Sequence, residues 1–142
     1  MNHIIEKHEQ YALIGIQEDT IDADGAADLE DIARGLLREG FKNLILDFSF
    51  TRTIESTGIA VLKKLNVLCA RELGLMVIVS DNDDFIEAHI EGKIRDATIL
   101  PTTEEAIDAV FMNDLENEFG AEGNDFDDDD YESPEPSSNE SY

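Results

Sequence analysis

Short apolar runs alternate along this chain with longer amphipathic stretches, and the spacing inside each predicts its element. In Ile4 to His8 and Tyr11 to Gln17, Tyr11, Leu13 and nearby apolar residues supply β-propensity, which predicts an opening antiparallel pair. From Ala23 to Glu39 the apolar residues Ala26, Leu29, Ile32, Ala33, Leu36 and Leu37 recur at three- and four-residue steps, the period of a helix, and Gly40 supplies a stop. Asn43 to Phe50 holds the unbroken run Leu44, Ile45, Leu46, which suits a strand buried on both faces. Ser56 to Leu73 returns to helical spacing. Ile59, Leu62, Leu65, Cys69 and Leu73 share one side, with Lys63, Lys64, Asn66 and Arg71 mostly outside and Gly74 at the end. Leu75 to Val79 reads as another buried strand, Asp83 to Ile94 as a shorter helix and Ala97 to Leu100 as a strand. Pro101 breaks the chain there, and Thr102 or Thr103 caps a last helix from Glu104 to Phe111 whose first turn is acidic. The predicted order is ββαβαβαβα, an α/β fold with a largely parallel or mixed sheet, right-handed crossovers and helices covering it.

The pattern stops at Met112. Residues 112 to 142 hold twelve acidic residues, no Lys or Arg, and two prolines between Ser133 and Ser138. The run Asp127 to Asp130 repels itself, and little apolar material offsets the entropy of ordering. A folded domain over residues 1 to 111 and a disordered acidic tail over 112 to 142 are therefore expected. Of the 34 acidic residues, 22 stand in the domain against all 10 basic ones, so half of the net charge of -24 lies in the tail. Such a charge disfavours nucleic acid or an anionic membrane as partner. No charged-then-apolar leader opens the sequence, and no apolar run approaches the ~18 residues of a bilayer span, so a cytoplasmic location is expected. The lone cysteine, Cys69, sits in the apolar helical stripe and reads as a buried structural thiol.

Candidate chemistry concentrates at Ile54, Glu55, Ser56, Thr57, Gly58, Ile59 and Ala60, where an apolar strand gives way to a long helix. The first turn of a helix exposes unpaired N–H groups and the positive end of the macrodipole, so a phosphorylated hydroxyl is tolerated there. Ser56 is the candidate switch; the alternative is that Ser56 or Thr57 merely caps the helix. Asp47, Asp81 and Asp83 near strand ends resemble the acidic cluster of a receiver domain, but no lysine follows the last strand, and Asp47 reads as a structural acceptor supporting the Ser56 loop. His3, His8 and His89 lack zinc-like spacing and read as surface residues. No Gly-x-Ser-x-Gly elbow and no Gly-Lys-Ser or Gly-Lys-Thr occurs, which argues against catalysis and nucleotide-phosphate binding of those types. Asp125, Asp127 and Asp129 echo a calcium loop, yet Asp130 and Pro136 stand where it needs Gly and Glu.

With Asn43 to Ser49, Ile54 to Ala60, Gly74 before Leu75 to Val79, and Thr102 to Ala106 in this order, residues 4 to 111 resemble a STAS domain. This is the family of bacterial anti-sigma factor antagonists and related regulatory modules. Its phosphorylation motif, Asp-Ser-Ser-Gly or Asp-Ser-Thr-Gly, aligns here with Glu55, Ser56, Thr57 and Gly58, so the resemblance puts the phosphorylation on Ser56. Glu55 departs from the usual Asp, and Glu18, Asp19 or Thr20 stands where a Gly commonly follows the second strand. The resemblance implies a non-enzymatic protein-binding switch that needs no cofactor. Its partners would be a serine kinase with anti-sigma activity and a PP2C-type phosphatase. The alternative is a constitutive STAS subunit of a transporter or an adaptor in a signalling complex, not phosphorylated.

Removing residues 113 to 142 is expected to leave the thermal midpoint nearly unchanged by calorimetry. At low salt it should tighten partner binding if the tail competes for a basic surface, an effect that shrinks as added salt shortens the Debye length. A large fall in midpoint would mean that Phe119 or Phe126 packs on the core.

Overall fold

The structure, a computed structural model, describes the backbone of residues 1–123 and the side chains of residues 1–119. The chain divides into two compact units, Met1–Val110 and Phe111–Tyr142. In the first, a five-stranded sheet runs in the order β1-β2-β4-β6-β7. Its strands are β1 (His3–Lys7), β2 (Ala12–Ile16), β4 (Leu44–Asp47), β6 (Met76–Val79) and β7 (Thr98–Leu100). β1 pairs antiparallel with β2, and each later pairing is parallel, with Ala12 opposite Leu44, Leu44 opposite Met76 and Val77 opposite Thr98. The sheet is therefore mixed, as expected. Helices α1 (Ala23–Arg38) and α2 (Ser56–Arg71), and a short α3 (Asp83–Phe85) that widens into a π-helical turn (Ile86–Ile90), fill the crossovers.

Alternation along the strands divides the core in two. Ala12, Ile14, Leu44, Leu46, Met76 and Ile78 pack with Leu29, Ala33 and Leu36 of α1 and with Leu62, Leu65 and Cys69 of α2. Leu13, Ile45, Val77 and Val79 turn to the other side, against Ala106 and Val110 of α4 (Thr103–Gly123). The central run Leu44, Ile45, Leu46 is inaccessible to water on both faces. Each such side chain contributes on the order of 1.5–3 kcal/mol, and a one-residue slip would exchange the two faces, so burial fixes the register. Cys69 is buried among these residues, and burial pushes its thiol up to about 12, which keeps it protonated at neutral pH.

Asn43 ties the strand starts together: its amide nitrogen donates to the Gln10 carbonyl (2.8 Å) and its oxygen accepts from Leu75 N–H (2.9 Å). Where α2 hands over to β6 the chain passes so close to Lys42 that a Cβ on Gly74 would run into its carbonyl. This explains the glycine better than a left-handed helix cap, since the positive φ there belongs to Leu73 (64°).

The main differences from the sequence-based expectation are three element ends and two added strands. β4 stops at Asp47 rather than Phe50, and two short strands not expected from the sequence, β3 (Thr20–Ile21) and β5 (Thr53–Ile54), pair in parallel as a separate two-stranded sheet. The third helix ends at Ile90, four residues early, because Glu91 N–H closes a wide π-type bond to Ile86 and Gly92 then turns with positive φ. The last helix runs to Gly123, not Phe111. Residues 112–123 thus continue as helix where a disordered tail was expected, with Met112, Leu115, Glu116 and Glu118 among the residues that favour it. The rest of the expected tail, including Asp127 to Asp130 and the calcium-loop echo, lies outside the described residues. Among the described residues, no helix is long and apolar enough to cross a membrane.

Asn43→Ala should cost about 1–3 kcal/mol in urea denaturation, because it strands a part-buried carbonyl and N–H together. An unchanged midpoint would show that water takes over both bonds.

Candidate functional site

Ser56 is carried by the loop between β4 and α2, whose course is set by its first turns. Asp47 closes β4 by accepting hydrogen bonds from the N–H (3.0 Å) and hydroxyl of Ser49, so its carboxylate shapes the turn at the strand end. Phe48 then plugs into the core against Phe85, with ring centres 5.9 Å apart, while Phe50 is left 72% exposed.

The loop is next clasped to the segment after β2. Thr51 hydroxyl donates to the Glu18 carbonyl (2.8 Å), Arg52 N–H to the Asp19 carbonyl (2.8 Å), and the hydroxyls of Thr20 and Thr53 meet at 2.8 Å. Arg52 also grips Asp19 through both side chains, Nε to Oδ1 at 2.6 Å and a second nitrogen to Oδ2 at 3.1 Å. That guanidinium hydrogen bond lowers the Asp19 pKa. The pairing is therefore present above the usual carboxylate pKa and lost as pH falls through the depressed value; at an exposed site it adds little stability. Glu18, Asp19 and Thr20, one of which stands where the resembled family commonly has a glycine, are thus one jaw of the clasp.

The clasp ends with Glu55 N–H donating to the Ile21 carbonyl (2.9 Å), and α2 begins at the next residue. Glu55 holds the cap position in extended backbone (φ -80°, ψ 166°), but its side chain makes no capping bond. Ser56 is the first helical residue and Thr57 the second, so neither is the cap, which corrects the capping alternative: a cap needs non-helical backbone one residue earlier. Both are exposed, and among the described residues the Ser56 hydroxyl has no hydrogen-bond partner. Gly58, by contrast, is buried. A Cβ there would come within 2.6 and 2.7 Å of Ile54 side-chain carbons and 3.3 Å of Ile21, so only glycine lets the first turn lie this low.

Beside Ser56 lies a groove of about 370 Å³ between α2 and the segment after α3. Ile54, Ser56, Ile59, Ala60 and Lys63 form one wall, the last four sharing a helix face, and His89 and Lys93 form the other. His89 is half-buried and stacks at a tilt on Phe85 (5.9 Å), and Lys93 Nζ donates to the Ala88 carbonyl (3.0 Å). Among the described residues, no carboxylate lines this groove. The expectation that His89 is an ordinary surface residue and that Lys63 only faces solvent missed this neighbourhood. Their spacing held a partial signal, since Lys63 lies seven residues from Ser56, but His89 and Lys93 arrive through tertiary packing. Asp47, Asp81 and Asp83 do not assemble: among the described residues no group of three metal-ligating side chains occurs.

Neither a protein-family model nor a curated protein sequence matches the chain. Solved structures do. An anti-sigma factor antagonist from Mycobacterium paratuberculosis superimposes with a TM-score of 0.63 at 20% identity, over 78% of this chain and 93% of its own. The fold is that of the anti-sigma factor antagonists. A second such protein, a putative anti-sigma factor antagonist from Thermotoga maritima, gives a TM-score of 0.65 at 16% identity, over 77% of this chain and 94% of its own. The antagonist SpoIIAA in its unphosphorylated form gives 0.62 at 15% identity over 78% and 98%. The Bacillus SpoIIAA in its phosphorylated form gives 0.61 at 14% identity over 77% and 99%. This STAS fold agrees with the fold expected from sequence.

Glu55→Asp should raise stability by up to about 1 kcal/mol in thermal or urea unfolding, because the shorter carboxylate can accept from the first-turn N–H groups that glutamate leaves unbonded. Gly58→Ala should lower it by about 1–3 kcal/mol through the collision with Ile54. Stability left intact by Gly58→Ala would show that α2 can lift without cost.

Proposed function

We propose that this protein is a non-enzymatic binding switch whose partner surface surrounds Ser56 and whose state is set by phosphorylation of that hydroxyl. The observation that carries the reading is the Ser56 hydroxyl itself: exposed, unbonded among the described residues, and standing first in a sixteen-residue helix on a clasped loop. Likeness to SpoIIAA, a protein solved in unphosphorylated and phosphorylated forms, supports it.

In this reading a serine kinase with anti-sigma-like activity binds the unmodified surface. Transfer of the γ-phosphoryl group of ATP to Ser56 Oγ releases the hydroxyl proton and ADP, and a PP2C-type phosphatase restores the hydroxyl by hydrolysis. Nucleotide and metal belong to those partners, so the chain itself requires no cofactor, and the exchange takes place in the cytoplasm. Asp47 shapes the approach to the site, Glu55 and Thr57 flank the hydroxyl, and Gly58 sets the height of the helix end. Phe50, a large aromatic exposed on the same loop, is the apolar anchor for the partner. A phosphoserine adds about -1.5 to -2 charge at neutral pH beside Glu55, and a partner surface fitted to a hydroxyl would have to desolvate it. Loss of about 1.4 kcal/mol is already tenfold in affinity.

A second reading is an unphosphorylated STAS subunit of a transporter or signalling complex. Glu55 in place of the usual Asp favours it, because the extra methylene moves the carboxylate that a kinase would meet beside Ser56.

Incubation with the cognate kinase and ATP should add about 80 Da, absent in Ser56→Ala. Calorimetric titration should show Ser56→Asp weakened roughly tenfold or more while Ser56→Ala still binds. Label that persists in Ser56→Ala would move the site, for instance to Thr57; equal affinities of the two variants would favour the constitutive subunit. Phe50→Ala should weaken the partner without changing the thermal midpoint.

A further inference from the structure

Beside the candidate switch, the groove between α2 and the segment after α3 gathers two lysines and a histidine in a chain of net charge -24. Two of the ten Lys and Arg residues line it, Ser56 opens into it, and among the described residues no carboxylate does. Lys63 makes no ion pair among the described residues, in contrast to Lys64, which bonds Glu30 at 3.4 Å one residue further on. Lys93 is held by the Ala88 carbonyl rather than by an acid. A cation with no acidic partner in so anionic a protein lacks the neighbour that composition makes abundant, and Ile54, Ile59 and Ala60 on the α2 wall bring no competing charge.

We propose that this groove is the receptor for the phosphate of phospho-Ser56, so that the modified side chain turns into the groove and is held by Lys63, Lys93 and His89. The inference rests on the reading of Ser56 as the modified residue and adds what becomes of the phosphate. Ser56, Ile59, Ala60 and Lys63 lie on one face of α2, with Ser56 and Lys63 separated by about 10 Å of helix rise. Side chains on a helix lean toward its N-terminus, so an extended Lys63 reaches back along most of that rise toward a phosphate on Ser56. The π-helical turn matters here, because it swings His89 onto the groove wall opposite α2 and Phe85 holds the ring there. Phosphorylation then does more than repel. It fills from within a basic groove that is open in the unmodified protein, removing a site where a partner's acidic side chain could dock. The same neutralisation explains how a domain this acidic could carry a further dianion without losing its fold.

The test installs phosphoserine at position 56 of the full chain by genetic encoding, which needs no kinase, and follows the phosphate by phosphorus NMR against pH. Four charged or titratable groups face it or flank it: Glu55 on the preceding loop, Lys63 on α2, and His89 and Lys93 across the groove. The titration is therefore run in the native sequence, in His89→Gln, and in each of these with Lys63→Ala and Lys93→Ala together. Lys63 and Lys93 are exposed, so the variants should fold, which circular dichroism checks. The expected result is a second ionisation displaced below the ~6 of free phosphoserine and raised by about half a unit or more when both lysines are removed, with or without His89. Removal of the lysines should also lower the thermal midpoint of the phosphorylated protein more than that of the unmodified one. A phosphate that titrates identically with and without the lysines, and no difference in midpoints, would overturn the groove while leaving Ser56 as the modified residue. Failure of any kinase to label Ser56, with the titration behaving as expected, would overturn the modification and leave the groove as an anion site.

Discussion

Everything at the candidate site depends on how low the first turn of α2 sits. Gly58 rests against Ile54 and Ile21, the closing residues of the two short paired strands, at a distance no Cβ would allow. That contact sets the height of Ser56 above the loop, the direction in which α2 leaves it, and therefore the line along which Lys63 follows. The strands supplying Ile54 and Ile21 are held in turn by polar bonds, from the buried Thr51 and the exposed Arg52 and Thr53 to Glu18, Asp19 and Thr20. An apolar seat below and a polar clasp above make a rigid base out of residues that form only two-residue strands.

The sheet supplies the rest of the geometry without taking part in it. Because β2, β4, β6 and β7 are parallel and follow one another across the sheet, each crossover returns the chain to the same starting edge. The loops that leave β4 and β6 therefore arise at one end, which is how His89 and Lys93 come to stand across from Ser56. Asn43 performs the corresponding service at the other end, where it bonds the chain before β2 and the start of β6. Burial fixes the strands in register, and the functional residues are left to the loops that those strands deliver.

Local charge runs against the composition of the whole. A net charge of -24 describes a protein that repels anions, while the groove beside Ser56 presents two lysines and, among the described residues, no carboxylate. The average charge governs long-range encounter with partners; at a few ångströms from Ser56 the nearest groups decide, since surface charges further than a Debye length are screened.

The sequence by itself determined the order of the main elements, the double-sided burial of Leu44 to Leu46 and the place of Ser56 at a helix start. Each of these is encoded in the period of neighbouring apolar residues, which a chain displays before it folds. Only the tertiary structure decided the rest. Thr20 and Ile21 carry too few residues to show a period, so their pairing with Thr53 and Ile54 exists only because two distant segments meet. Glu55 rather than a hydroxyl occupies the cap, a matter of one residue that propensity does not resolve. The helix runs on beyond Phe111 through a mixture of good and poor helix formers, whose acidity resembles that of a tail and hides the continuation. His89 and Lys93 lie more than thirty positions from Ser56 in the sequence, and their approach depends on the width of one π-helical turn and on where Phe85 packs. Spacing along a chain reports which residues share an element; which elements share a groove is settled by packing between them.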